Sequence, residues 1–285
     1  PPIKPARASE ALPGKLGDLA IWSHPTNPWE SIVFVLDERA SGGGLYALDM
    51  FGGIRTRWTE MGQPVDVSIE QGVRVGKAKL DLLLLLDAGT LQTRIYSIDS
   101  GRGELHDRTG QTRVLLDDEH GDGKPIAMES YRRADGSVSV FITREVADSG
   151  NAVWEYRLVR NGQKFDLEKV REFGDSRGME PIRALLVDDP NGYVYYADKY
   201  AGIRKYVAEA QLKFSHVEVK TFARSGWEGT VVELGVHESD DEHGGVIVGL
   251  DSRYSGAALL MFDRIGASPS VHDHQVRGRP YTLAV

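Results

Sequence analysis

The chain has 285 residues, 34 lysine plus arginine against 42 aspartate plus glutamate, and a formal net charge of −8. With no basic stripe in the sequence, that balance argues against a nucleic-acid partner. The longest apolar run, Ala257 to Phe262, is far too short for a membrane-spanning helix. The absence of cysteine excludes disulfides, thiolate zinc sites and a cysteine nucleophile.

Residues 1–14 carry few strand signals and read as an amino-terminal extension, with 15–285 as one repeating domain. The first unit runs Asp18–Trp22, Ile32–Asp37 and Gly44–Asp49, three short β-rich runs separated by turn residues. The same triplet returns as Asp66–Ile69, Leu82–Asp87 and Arg94–Asp99, then as Lys124–Met128, Val138–Arg144 and Val153–Leu158. Glu180–Leu185, Tyr193–Asp198 and Ile203–Tyr206 form a fourth set, and Glu228–Val232, Gly245–Asp251 and Leu260–Asp263 a fifth. The ends of the second runs are 50, 57, 54 and 53 residues apart. Ala134-Asp-Gly136 and Asp189-Pro-Asn-Gly192 supply hairpin turns between first and second runs.

A β unit repeating at this period is the signature of a propeller blade, because a small sheet buries its apolar faces only by stacking on the next one. A β-sandwich would account for the strands but not for the threefold repeat. The fold expected is an all-β, six-bladed propeller. Five blades are clear, and Tyr281–Val285 read as the first strand of an incomplete sixth.

In such a fold the starts of the first strands and the ends of the second strands gather at one rim. Those positions hold Asp18, Asp66, Lys124, Glu180 and Glu228, then Asp37, Asp87, Arg144, Asp198 and Asp251. Eight of the ten are carboxylates. Clustered like charges repel unless a cation or raised pKa values relieve them, and a hard, oxygen-rich donor set suits Ca2+. The plainer reading, turn aspartates that are hydrogen-bonded and face solvent, stands beside it.

Asp18-Leu-Ala-Ile-Trp22-Ser-His-Pro-Thr-Asn-Pro28 resembles the DDPAIW…HPxNP opening of the β-propeller phytases. Gly44-Leu-Tyr-Ala-Leu-Asp49, Val65-Asp66-Val with Gly76–Asp81, Glu180 with Asp188-Asp189 and the Tyr193-to-Tyr206 strands, and Trp227-Glu228-Gly229 are similar to later segments of that family, in order. The resemblance implies a Ca2+-dependent phosphomonoesterase acting on phytate or lower inositol phosphates. It makes Asp18, Asp66, Glu180, Asp198 and Glu228 the expected calcium ligands, Glu180 and Glu228 the acids expected to serve hydrolysis, and Arg39 and Arg144 phosphate contacts.

The departures are as informative. Gly17 stands for the first acid of the opening motif, Ser68 for an arginine, Ala88 for another, Ile126 for a tyrosine and Lys199 for a glutamate. Lys199 and Lys124 are candidate phosphate contacts in their own right. So degenerate a set is similar to the amino-terminal member of tandem phytases, implying weak or narrowed activity. The alternative is a non-catalytic calcium- and phosphate-binding accessory propeller supporting a second propeller domain in the same polypeptide. A calcium-dependent lactonase is a third reading. Starting at Pro1-Pro2, the chain fits a processed exported protein, expected outside the cell or in the periplasm, or a piece of a longer one.

His272-Asp-His274 offers two imidazoles on one strand face without an evident third ligand. Asp117–Asp122 and Glu238–His243 read as solvated acidic loops that lack EF-hand spacing. Trp22, Trp58, Trp154 and Trp227 read as packing residues.

Overall fold

The computed structural model describes residues 8–39, 42–99, 101–115, 123–145, 151–177, 180–224, 228–239, 244–253, 256–266 and 272–276. The chain divides into two compact units, one comprising 7–145 and 153–171, the other 1–6, 146–152 and 172–285.

The first unit holds three four-stranded antiparallel meanders. Blade 1 is β1 (Leu16–Trp22), β2 (Ile32–Asp37), β3 (Gly44–Asp49) and β4 (Ile54–Trp58). Blade 2 is β5 (Pro64–Val75), β6 (Ala78–Asp87), β7 (Gln92–Ile98) and β8 (Leu105–Asp107). Blade 3 is β9 (Pro125–Arg132), β10 (Val138–Arg144), β11 (Val153–Asn161) and β12 (Lys164–Phe173), whose last two residues pass into the second unit.

The second unit holds blade 4, made of β13 (Leu185–Asp188), β14 (Tyr193–Asp198), β15 (Gly202–Val207) and β16 (Lys220–Phe222). Blade 5 follows as β17 (Thr230–Glu238), β18 (Gly245–Arg253), β19 (Gly256–Asp263) and β20 (His272–Val276). Five propeller blades, not six, are present among the described residues. Tyr281–Val285, the expected start of a sixth, lie outside them, as do Trp227 and the Asp117–Asp122 loop. The His272-Asp-His274 run falls on the outermost strand of blade 5.

Blade stacking follows from the period of two in the strands. On β6 the five leucines Leu82 to Leu86 are fully buried, the pattern of a strand covered on both faces. Leu83 and Leu85 pack with Trp22, Phe34, Leu36 and Leu45 of blade 1. Leu82, Leu84 and Leu86 pack with Val140, Ile142 and Trp154 of blade 3. In the second unit Leu186, Tyr195 and Ile203 of blade 4 join Leu234, Ile247 and Leu260 of blade 5.

First strands pair with second strands through a register slip near the rim, at Leu16/Leu19, Pro64/Asp66, Ile142/Arg144 and Val231/Glu233. Such bulges re-aim side chains, and Asp18 and Asp66 sit at two of them. Glu180 was expected to open a strand over Glu180–Leu185, but β13 starts only at Leu185. Pro181 has no N–H to give a ladder. Glu228 and Lys124 likewise precede their strands, β17 and β9.

Candidate functional site

Three of the second strands end in a buried aspartate and β18 carries one two residues before its end: Asp37, Asp87 and Asp251 are fully buried and Asp198 nearly so. A buried carboxylate must be paired and hydrogen-bonded, and each of these is. Asp37 accepts from Arg39 Nε at 2.9 Å and from the Lys15 and Arg39 N–H groups. Asp87 accepts from Arg94 at 2.8 Å and from the backbone of Gln63, Gly89 and Thr90. Asp198 takes Arg204 at 2.9 Å with the Arg177 and Tyr200 N–H groups. Asp251 takes Arg253 at 2.7 Å with the Glu228 and Gly229 N–H groups.

One device thus recurs: the aspartate holds the segment before the first strand and an arginine neutralises it, and in blades 1, 2 and 4 it also accepts from the turn after the second strand. Burial pushes the Asp37 carboxyl up, but hydrogen bonds from Arg39, Lys15 and its own turn outweigh it and hold it below the usual carboxylate range. Asp87 is governed by the same contest, with Gln63, Thr90 and Arg94 overcoming desolvation. The arginines at +2 after Asp37 and Asp251, +6 after Asp198 and +7 after Asp87 were a legible signal that the sequence reading passed over, except for Arg39, which it placed on phosphate.

The first-strand acids have different work. Asp18 Oδ2 accepts from the Val67 N–H at 3.0 Å, and Asp66 Oδ2 from the Met128 N–H at 3.0 Å, so each pins its blade to the next. Glu180 lies 3.7 Å from Lys199 Nζ and accepts from the Tyr200 hydroxyl at 3.4 Å. Glu228 is 79% exposed, with Arg253 Nη1 at 3.5 Å. Lys124 is exposed, 3.9 Å from Glu145.

The buried carboxylates and the exposed ones differ in what surrounds them. The buried ones are occupied by guanidinium and backbone donors, and among the described residues no three acidic or histidine side chains gather as a metal centre requires. The counter-charge expected from a cation is supplied in four blades by arginine.

Blade 3 inverts the device. Arg144 takes the strand-end position and is only 7% exposed. Among the described residues nothing accepts from its Nε or Nη1, nor from the indole Nε1 of the fully buried Trp154. The guanidinium carbon lies 5.8 Å from the Trp154 ring, whose face also carries Lys169 Nζ at 3.5 Å. Gly123 is what lets the backbone approach: a Cβ there would come within 3.0 Å of Arg144 Nε. Where the other blades hold a carboxylate among donors, this one holds donors without an acceptor.

The sequence matches the phytase family model over residues 8–279. The chain belongs to the phytase family. The match suggests a hydrolase of the phosphatase type. No curated protein matches this phytase-family chain. Among solved structures, BBS1N in complex with ARL6DN, soaked with mercury, aligns at a TM-score of 0.53 and 9% identity, over 93% of this chain and 68% of that one. The lead-soaked form of that complex aligns at 0.52 and 9%, over 89% and 68%. At such identity the likeness shows the fold alone.

Proposed function

We propose that this phytase-family propeller binds phosphate esters, with inositol phosphates as the ligand class, and that Arg144 is the central phosphate contact. The observation carrying the reading is the buried Arg144 guanidinium, whose Nε and Nη1 find no acceptor among the described residues. A buried donor left without an acceptor costs about 1–3 kcal/mol, and a phosphoryl oxygen would supply the missing acceptor in the bidentate manner suited to arginine. Lys124, at the start of the same blade's first strand, adds charge to that end. Arg39 is already engaged by Asp37 and would reach phosphate only by leaving it.

This favours the accessory role over a full enzyme: phosphate affinity retained, turnover weak or absent, with a second propeller of the same polypeptide as the proposed partner and an exported setting as the proposed location. Ca2+-dependent hydrolysis is the second reading. It is favoured by Glu180 and Glu228, the two rim acids left outside strands with substantial exposure, Glu180 held by a loose Lys199 contact and a long hydrogen bond from the Tyr200 hydroxyl and Glu228 by a loose Arg253 contact. A calcium ion there would compete with Lys199 and Arg253.

The two readings part in one experiment. Phytate is added with and without excess calcium, and binding and phosphate release are measured together. Binding lost in Arg144→Met with no release in either condition supports the accessory role. Release that needs calcium and disappears in Glu180→Gln with Glu228→Gln supports hydrolysis. Binding unchanged in Arg144→Met overturns the site.

A further inference from the structure

At the opposite, turn end of blades 2 and 3 the charge pattern reverses. From Asp66 to Arg74 along β5 is eight residues, roughly 25 Å at strand rise, so this end is well removed from the rim positions of the same blades. A pocket of about 230 Å³ opens there, lined by Arg74 and Lys79 of blade 2 and by Arg132, Arg133 and Asp135 of blade 3.

Arg74 and Lys79 are direct cross-strand partners on β5 and β6, both exposed, while Val73 beside Arg74 is buried in the core. Like charges placed opposite each other on adjacent strands are destabilising. Among the described residues no ion pair relieves either one. Arg132 reaches across from the next blade, its guanidinium donating to the Gln71 carbonyl, with Glu70 4.0 Å away. It lies over Gly72, where a Cβ would sit 3.1 Å from Arg132 Nη1, and Gly72 at φ 71° is a position where glycine is preferred.

The fourth cation is already matched. Arg133 pairs with the buried Glu155, which also takes Arg171 at 2.6 Å and the Ser139 hydroxyl at 2.7 Å. Asp135 is turned to its own hairpin, accepting from the Ser137 N–H at 2.8 Å and the Ser137 hydroxyl at 2.6 Å. Arg74, Lys79 and Arg132, set against Asp135 and against the Glu70 carboxylate beside Arg132, leave a surplus of one positive charge at a pocket whose protein has a net charge of −8.

We infer that this turn-end pocket is a second anion site that takes one phosphoryl dianion, either free orthophosphate or the phosphate of a monoester, through Arg74, Lys79 and Arg132. The pocket volume suits one phosphoryl group rather than a whole polyphosphorylated ring. Two guanidinium groups and an ammonium match its charge and its several acceptor oxygens. Occupation relieves the cross-strand repulsion, so the anion also ties blade 2 to blade 3. The site needs no metal and does not involve Arg144, so either assignment can fail without the other.

The test is calorimetric titration of the full chain in chelator-containing, metal-free buffer, with orthophosphate in one arm and glycerol phosphate in the other. Lys79→Glu converts the repelling pair into an attracting one and leaves the rim untouched. The expected result is two binding components in the native chain. Lys79→Glu should lose one of them by at least about tenfold while raising Tm, and Arg144→Met should lose only the other. A stronger response in the monoester arm identifies an organic phosphate as the ligand, and equal responses identify the phosphoryl group alone. Identical titrations of native and Lys79→Glu protein overturn the site. A fall in Tm on Lys79→Glu contradicts the unrelieved repulsion on which the inference stands.

Discussion

Blades 2 and 3 are neighbours in one unit, built from the same meander, and at the end of the second strand they do opposite things. Blade 2 ends in Asp87, fully buried and satisfied by Arg94 and three backbone donors. Blade 3 ends in Arg144, nearly as buried, with two of its donors and the Trp154 indole unanswered. The difference teaches which rim residues are architecture and which are available for ligand. A carboxylate in this position closes the blade on itself, and an arginine without a carboxylate leaves a demand that something from outside can meet.

The comparison breaks most sharply by removing the satisfied member. Asp87→Ala strands Arg94 and the loop N–H groups, and breaking a buried pair is severe. Unfolding in urea should show a loss of about 3 kcal/mol, and a loss below about 1 kcal/mol would mean that Asp87 is not the clamp described. The inverse change sharpens the contrast. Arg144→Met replaces a buried, unpaired cation with an apolar chain of similar reach, so stability should hold or rise, while the rim component of phosphate binding weakens at least about tenfold, or about 1.4 kcal/mol.

Acid separates the aspartate-bearing blades from blade 3. Asp37 and Asp87 titrate below the ordinary carboxylate value of about 3.9. Their contribution is therefore fully present above that value and is lost as pH falls through their depressed folded values. Melting temperatures recorded from pH 7 down to 3 should drop steeply at the acid end. Asp87→Ala should flatten that drop, whereas Arg144→Met should leave its shape unchanged. The smallest effect belongs to the exposed acids. Glu180→Gln and Glu228→Gln each remove only a loose surface contact, so thermal melts should register less than about 1 kcal/mol.

The fold was legible because the repeat is carried by burial. Leu82–Leu86 and Tyr193–Ala197 are unbroken apolar runs because their strands are covered on both faces, and Ala134-Asp-Gly136 marks its hairpin by its own turn chemistry. The fourth strands were less visible. Leu105–Asp107 and Lys220–Phe222 are short, and little of either is buried.

At the rim, the sequence shows charge but not its partner. Asp37, Asp87, Asp198 and Asp251 read as unrelieved carboxylates because their arginines lie in the turn after the strand, at the end of the same strand or on the adjacent third strand. Only antiparallel pairing brings Arg94 and Arg204 back to the strand end. Arg144 stood out by being the wrong sign for its place. That its donors lack an acceptor is a fact of packing against Trp154 and Gly123, which residue identities alone do not express.

The most direct test is the Arg144 side chain itself, followed through its Nε–Hε resonance by NMR while orthophosphate is added to calcium-free protein. A resonance that lies in the range of an unbonded guanidinium and moves saturably downfield, with the Trp154 indole signal moving at the same concentrations, is the predicted result. An Arg144 signal unmoved at saturating phosphate would contradict the account.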